Sequence, residues 1–339
     1  MTEKRPTLRN RLGVDRLVRH LANGHYDQAL ADYDRAIELD AANTWAFLGR
    51  GDTYQAMGRY DQALADFDRA IELDATFSGA IANRGATYQA MERYEEALAD
   101  FNGAIELDGT YAWAWAIASR GATYQAMERY EEALADYDRA IELDPANAGV
   151  FVGRGETYQA LEWHEEALAD FDRAIELDPA YTWAIANRGQ TYLAMGRYDQ
   201  ALADFDRAIE LDPANTWAIA GRGETYQAME RYEEALADFS RAIELNPEDA
   251  WAIASRGQTF QNMERYEEAL ADFNRAIELD PGEDDYIMKR AEIQRYIAPA
   301  EPTVLQIAPL YETAKRRPVY GCPPLSRTPH RGIGPAGPL

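Results

Sequence analysis

The chain of 339 residues contains one cysteine, Cys322, four histidines, and 34 lysines and arginines against 59 aspartates and glutamates. Each shortage excludes something. A single cysteine rules out an intramolecular disulfide framework and a thiolate-rich metal site. The formal charge of −25 argues against a phosphate-backbone binder, which needs clustered positive charge, so no nucleic acid is expected as a partner. The longest unbroken apolar run, Tyr111 to Ala118, is eight residues, against roughly 18 or more for a membrane-spanning helix. No membrane is expected as a partner either. The N-terminus, MTEKRPTLRNRLGVDRLVRHL, is basic but lacks the continuous apolar core of a secretory signal, and the expected location is cytoplasmic. The histidines, His20, His25, His164 and His330, are scattered, and no metal or other cofactor is expected.

What fills the chain is repetition, the first thing to test in any sequence. An Arg-Gly pair recurs at Arg50, Arg84, Arg120, Arg154, Arg188, Arg222 and Arg256, with spacings of 34, 36, 34, 34, 34 and 34. The segments Arg84–Asp108 and Arg120–Asp144 share 22 of 25 residues, so the copies are duplications of one unit. Within the unit from Thr182, Ile185, Gly189 and Tyr192 fall at helical spacing and Gly196 breaks the pattern. Tyr198, Ala201, Leu202, Phe205, Ala208 and Ile209 then form a second amphipathic stripe. The unit therefore reads as helix, turn, helix. Asp199 opens the second helix, where a carboxylate complements the positive helix end, and Asp212-Pro213 stops it. One such unit buries too little apolar surface to offset the entropy of ordering its own backbone, so neighbours must stack.

No catalytic motif stands up. GRGETY at Gly153 and Gly221 lacks the third glycine and the Lys-Ser/Thr of a phosphate loop, and lies inside a helical pattern. Asp204-Phe205-Asp206 lacks the glycine turn and terminal glutamate of a calcium loop. The chain is not expected to be an enzyme.

The unit resembles the tetratricopeptide repeat, marked by Gly at repeat position 8, Tyr at 11, Ala at 20, an aromatic at 24, Ala at 27 and Pro at 32. In the unit from Thr216 these are Gly223, Tyr226, Ala235, Phe239, Ala242 and Pro247. The resemblance implies an all-α fold, a right-handed superhelical solenoid of stacked helix-turn-helix repeats. It covers residues 10–283 as eight units starting at Asn10, Thr44, Ser78, Ala114, Ala148, Thr182, Thr216 and Ala250. The first is degenerate, with Leu17 and His20 in place of the Gly and Tyr, and residues 1–9 precede it as a basic segment. Residues 284–298 have the spacing of one further first helix and read as a C-terminal cap. Residues 299–339 hold nine of the fifteen prolines and are expected to form a disordered basic tail. The charge divides accordingly. Residues 1–19 carry six basic and two acidic side chains and residues 299–339 carry five and two, which leaves −32 for residues 20–298.

Two departures from the family pattern bear on function. Ile or Phe stands at position 4 where Trp is usual, and Arg stands at position 7 where Leu is usual. The resemblance implies that position 7 points between the two helices of a unit, so these arginines are expected to pair with an Asp at position 23, for example Arg188 with Asp204. It also implies that the first helices line a concave groove in which positions 2, 5, 6, 9, 12 and 13 face a partner. Position 2 is Trp45, Trp115, Trp183, Trp217 and Trp251, with Gly79 and Gly149 between. Position 6 is Asn83, Asn187, Gly or Ser, which leaves room. Position 9 offers Asp52, Glu156, Gln190, Glu224 and Gln258, and position 12 is glutamine in six of seven units, including Gln89, Gln125, Gln159, Gln227 and Gln261. No Lys or Arg occupies any of the six positions.

These residues suit an extended polar or basic peptide, with glutamines reaching its backbone and Trp rings offering apolar or cation–π anchors. The expected function is a non-catalytic scaffold or adaptor for protein–protein interaction, its partner a neutral to basic protein or peptide. The alternative is a structural protein that self-associates through its caps or acidic surface. A two-residue insertion between the third and fourth units, in Gly109–Trp115, changes one junction and clusters three aromatics; it reads as a longer turn with an extended helix start, or as a contact site or bend.

Overall fold

The computed structural model describes residues 26–107 and 114–297. The segment before Tyr26, with Leu17 and His20, the insertion, and the Pro-rich tail fall outside the described residues. Among those described, sixteen helices and no strand occur. The chain divides into two compact units, residues up to Leu177 and residues from Asp178.

The first unit contains α1 (Tyr26–Leu39), α2 (Thr44–Ala56), α3 (Tyr60–Leu73), α4 (Ser78–Ala90), α5 (Tyr94–Leu107), α6 (Ala114–Ala126), α7 (Tyr130–Leu143), α8 (Ala148–Ala160) and α9 (His164–Leu177). The second contains α10 (Thr182–Ala194), α11 (Tyr198–Leu211), α12 (Thr216–Ala228), α13 (Tyr232–Leu245), α14 (Ala250–Asn262), α15 (Tyr266–Leu279) and α16 (Asp284–Ile297). The first helix of a repeat is called here its A helix and the second its B helix. In each unit an A helix packs most extensively on its own B helix, and each B helix packs next on the following A helix.

The B helices form because Ala, Leu, Glu and Arg favour helix and because an acidic residue sits in the first turn, as at Asp61 in α3 and Glu233-Glu234 in α13. Their buried stripe is Ala235, Leu236, Asp238, Phe239 and Ala242 in α13, the i, i+1, i+3, i+4, i+7 face of a helix packed on one side. Phe67, Phe101, Phe171, Phe205, Phe239 and Phe273 are fully buried at position 24 and form the largest pieces of core. Position 8 must be glycine for this reason. A Cβ on Gly51 would lie 2.6 Å from the Phe67 ring.

Where the A helix begins with Asn or Asp at its cap, that side chain accepts a backbone N–H from the first turn: Asn43 from Ala46, Asn215 from Ala218, Asp249 from Ala252. The A helices end in a shared turn. In α4, Arg93 N–H donates to the Tyr88 carbonyl and Glu92 N–H to that of Gln89, the paired bonds of a Schellman motif. The turn residue takes left-handed backbone, as glycine at Gly58 and Gly196 (φ 70° and 71°) but as glutamate at Glu92, Glu128, Glu162, Glu230 and Glu264 (φ 59–60°). In five repeats the following arginine lies over the position-11 ring, 4.5 Å for Arg93 over Tyr88, and supplies the side-chain contact that closes the motif.

Candidate peptide-binding face

The position-7 arginines are bound inside the repeats. From Arg50 with Asp66 to Arg256 with Asp272, all seven make bidentate pairs sixteen residues apart, with Nε to Oδ2 at 2.7–2.8 Å and Nη2 to Oδ1 at 2.6–2.7 Å. Arg188 with Asp204 is among them, as the resemblance to the tetratricopeptide repeat implies. A third donor, Nη1, reaches back to the preceding B helix: to Asp34 from Arg50, Asp68 from Arg84, Asp138 from Arg154 and Asp206 from Arg222. Arg120 finds Asn102 instead, and Arg256 finds Ser240 at 3.4 Å. The guanidinium therefore ties two repeats together. Hydrogen bonding to Asp66 raises the Arg50 pKa, so it stays charged.

Position 6 is small for a reason internal to the array. A Cβ on Gly49 would meet the Tyr33 ring at 2.3 Å, one on Gly153 the Tyr137 ring at 2.8 Å, and one on Gly221 the Phe205 ring at 2.6 Å. The room left there is taken up by the aromatic of the preceding B helix. The carbonyl at position 6 in turn accepts from the buried position-10 threonine, 2.8 Å for Thr225 to Gly221.

In the first unit, the expected site residues interact in pairs. Asn83 Nδ2 donates to Asp52 Oδ1 at 2.6 Å. Burial pushes the Asp52 carboxyl up to about 7, with the Asn83 hydrogen bond opposing the shift. Burial, and then the Asp52 charge, raise the Tyr33 pKa. Gln125 accepts from the Tyr137 hydroxyl at 2.8 Å, and Gln89 Nε2 donates to the Ser119 carbonyl at 3.5 Å. Trp45, 68% exposed, stands edge-on to Phe77 at 4.8 Å, and Trp115 edge-on to Phe101 at 6.4 Å. Glu156 and Gln159 lie half-buried on α8.

In the second unit, Trp183, Trp217 and Trp251 stand in a row. Ring centroids are 6.2 Å apart for the first pair and 6.1 Å for the second, tilted by 34° and 35°, and Trp251 also meets Phe239 edge-on. On the same helices Gln190 Nε2 lies 3.5 Å from Glu224 Oε2, and burial raises the Glu224 pKa. Gln258 donates to Asn262 at 3.0 Å, and Asn187 donates to the Trp183 carbonyl at 2.9 Å. Asn187 is buried and Gln227 is half-buried on α12. Two of the expected site residues carry buried polar atoms without a protein partner, Trp217 Nε1 and Gln261 Oε1.

Sequence reasoning passed over Trp163, which is 50% exposed and stacks on Tyr158 at 5.8 Å. Its signal was a broken pattern, since the other six repeats carry arginine at that position. Among the described residues no helix is long and apolar enough to cross a membrane.

The family described as tetratricopeptide repeat matches residues 44–77, 114–147, 183–215, 217–249 and 250–283, and again, through a related pattern of the same description, 78–111 and 148–181. A pattern described as TPR repeat matches residues 19–58. No curated protein matches the chain. Among solved structures, a chain of the APC/C hetero-tetramer Cut9–Hcn1 is similar at 13% identity and a TM-score of 0.64 over 79% of this chain, which spans 52% of that one. A tetratricopeptide repeat protein from Parabacteroides merdae is similar at 19% identity and a TM-score of 0.61, over 74% of this chain and 98% of that one. PilF of Pseudomonas aeruginosa is similar at 21% identity and a TM-score of 0.54, over 63% of this chain and 97% of that one.

Proposed function

The chain belongs to the tetratricopeptide repeat family, whose members mediate protein–protein interaction, and from that premise we propose that it is a non-catalytic scaffold binding an extended, neutral to basic peptide on its A-helix face. The observation that carries this reading is the second unit's face. Three tryptophans stand there in a row, on helices that also carry Glu224 and Gln261, with no Lys or Arg at positions 2, 5, 6, 9, 12 or 13. The acidic surround favours Arg and Lys in that peptide, and the indole faces suit their cation–π anchoring. The chain acts in the cytoplasm in this reading.

Selection from a displayed library of random twelve-residue peptides tests the reading. Sequences enriched on the full chain are expected to contain Arg, Lys and uncharged polar residues and to be poor in Asp and Glu. Enrichment is expected to disappear on Trp183→Ala/Trp217→Ala of unchanged helicity. Enrichment of acidic peptides, or retention by the double variant, would overturn it.

A further inference from the structure

One turn departs from its copies in a way that leaves a place for a cation. In five repeats the arginine that follows the A helix lies over the position-11 ring at 4.4–4.7 Å, from Arg59 over Tyr54 to Arg265 over Phe260. In four of them its Nη2 also donates to the glutamate three residues on at 2.6–2.7 Å: Arg93 to Glu96, Arg129 to Glu132, Arg231 to Glu234 and Arg265 to Glu268. Each of these turns thus holds a guanidinium with one aromatic ring and one carboxylate.

In the turn between α8 and α9 the arginine is replaced by Trp163, while Tyr158 and Glu166 keep the ring and the carboxylate. The indole stacks on Tyr158 at 5.8 Å, with the planes 25° apart, and half of its own surface stays exposed. Glu166 is exposed as well, and its charge reaches the Tyr158 hydroxyl. Burial raises that pKa first, Arg154 opposes the rise, and Asp138, Asp170 and Glu166 add to it. The exchange of Arg for Trp also removes a positive charge from a turn that retains Glu162, Glu165 and Glu166. A further carboxylate comes from the preceding repeat. The Arg129 pKa is raised first by the Glu132 hydrogen bond and in smaller part by Glu95, and the residue equivalent to Glu95 before Trp163 is the exposed Glu131.

We propose that Trp163 and Glu166 form a binding site for an arginine side chain of a partner protein, its guanidinium stacked on the exposed indole face and hydrogen-bonded to the Glu166 carboxylate. The class of ligand is given by the internal precedents, in which an equivalent ring and carboxylate hold a guanidinium, and by the excess negative charge around the indole. Arginine is favoured over lysine because a planar guanidinium lies flat on the indole while its edge donates to the carboxylate, whereas an ammonium is a more strongly hydrated point charge. The site uses none of the A-helix face positions and stands separately from the peptide reading.

The test follows the Trp163 indole N–H, assigned by Trp163→Phe, in the 15N-labelled full chain titrated with the peptide acetyl-Gly-Gly-Arg-Gly-Gly-amide. The resonance is expected to shift saturably. Lysine in place of the arginine is expected to weaken binding about three-fold, and norleucine to abolish it. Glu166→Gln is expected to weaken binding about three-fold, whereas Glu132→Gln, at a carboxylate that already holds Arg129, leaves it unchanged. In Trp163→Arg, which restores the internal cation, the Glu166 backbone amide resonance is expected to stay still although it moves in the parent. A Trp163 resonance that does not shift, or an equal response to norleucine, would overturn the proposal. Equal losses from Glu132→Gln and Glu166→Gln would also overturn it, by showing diffuse attraction to the acidic surface. Shifts confined to Trp183, Trp217 and Trp251 would overturn this site and leave the A-helix reading standing.

Discussion

The two compact units derive from one duplicated sequence yet present different A-helix faces. In the first, position 2 alternates as Trp45, Gly79, Trp115 and Gly149, and among the described residues each tryptophan finds a phenylalanine edge and no second indole. Its polar feature is the Asp52–Asn83 pair. In the second, Trp183, Trp217 and Trp251 fall on consecutive repeats and meet one another. The hidden side does not diverge in this way. In the seven regular repeats position 8 is glycine, position 23 aspartate and position 24 aromatic, because each is fixed by contacts inside the repeat. The faces are thus free to differ where the cores are not, and binding specificity belongs to the faces.

The largest expected effect breaks what both units share. Arg154→Ala in the first and Arg222→Ala in the second strand Asp170 and Asp238, which are 6% and 9% exposed in their side chains, and each is expected to cost about 3 kcal/mol. Urea unfolding followed by circular dichroism measures both, and similar losses are expected because the pair is the same in each unit.

Next in size is an effect confined to the first unit. The Asp52 carboxyl titrates at about 7 in the fold, above the unfolded value near 4. The raised value means that the protonated form stabilises the fold. That contribution is complete below about pH 4 and is lost as pH rises through 7, by about 2 kcal/mol once partial solvent exposure is allowed for. Asp52→Asn is expected to flatten the decline in stability between pH 4 and 7.5 in parallel denaturation series.

A smaller change touches the contact beneath the second unit's tryptophans. Gly221→Ala forces the Phe205 ring aside, at an expected cost of about 1–2 kcal/mol, readable as a lower thermal midpoint. The smallest effect is a gain. Glu230→Gly relieves a left-handed glutamate and is expected to stabilise the second unit by about 0.5–1 kcal/mol, whereas Gly196→Glu in the same unit costs about 1 kcal/mol. Both follow from midpoints in denaturant.

Much of this architecture was legible in the sequence because it repeats. The 34-residue period and the apolar stripes located the helices, and the family resemblance implied the Arg188–Asp204 ion pair. The reach of Arg222 back to Asp206 was not legible, since position 25 is one carboxylate among many on an acidic helix, and only packing singles it out. Position 6 misled in a physical way. A small residue says that something comes close without saying what, and at Gly49 and Gly221 it is a ring of the preceding helix. The strained turns were hidden as well, because glutamate at Glu92 or Glu230 carries no signature of positive φ. On the candidate face, the residue types could be enumerated from the period. That three indoles touch, and that Asp52 holds Asn83, required the distances between repeats.

The tryptophan row of the second unit is the surface on which peptide binding is proposed. The chain has seven tryptophans, so the indole N–H resonances of 15N-labelled protein, assigned by single Trp→Phe variants, provide seven reporters. On addition of a peptide selected by display, the resonances of Trp183, Trp217 and Trp251 are expected to shift together and saturate with one affinity, Trp217 most strongly. Saturable binding that leaves all three unmoved would place the peptide elsewhere on the protein and rule this surface out.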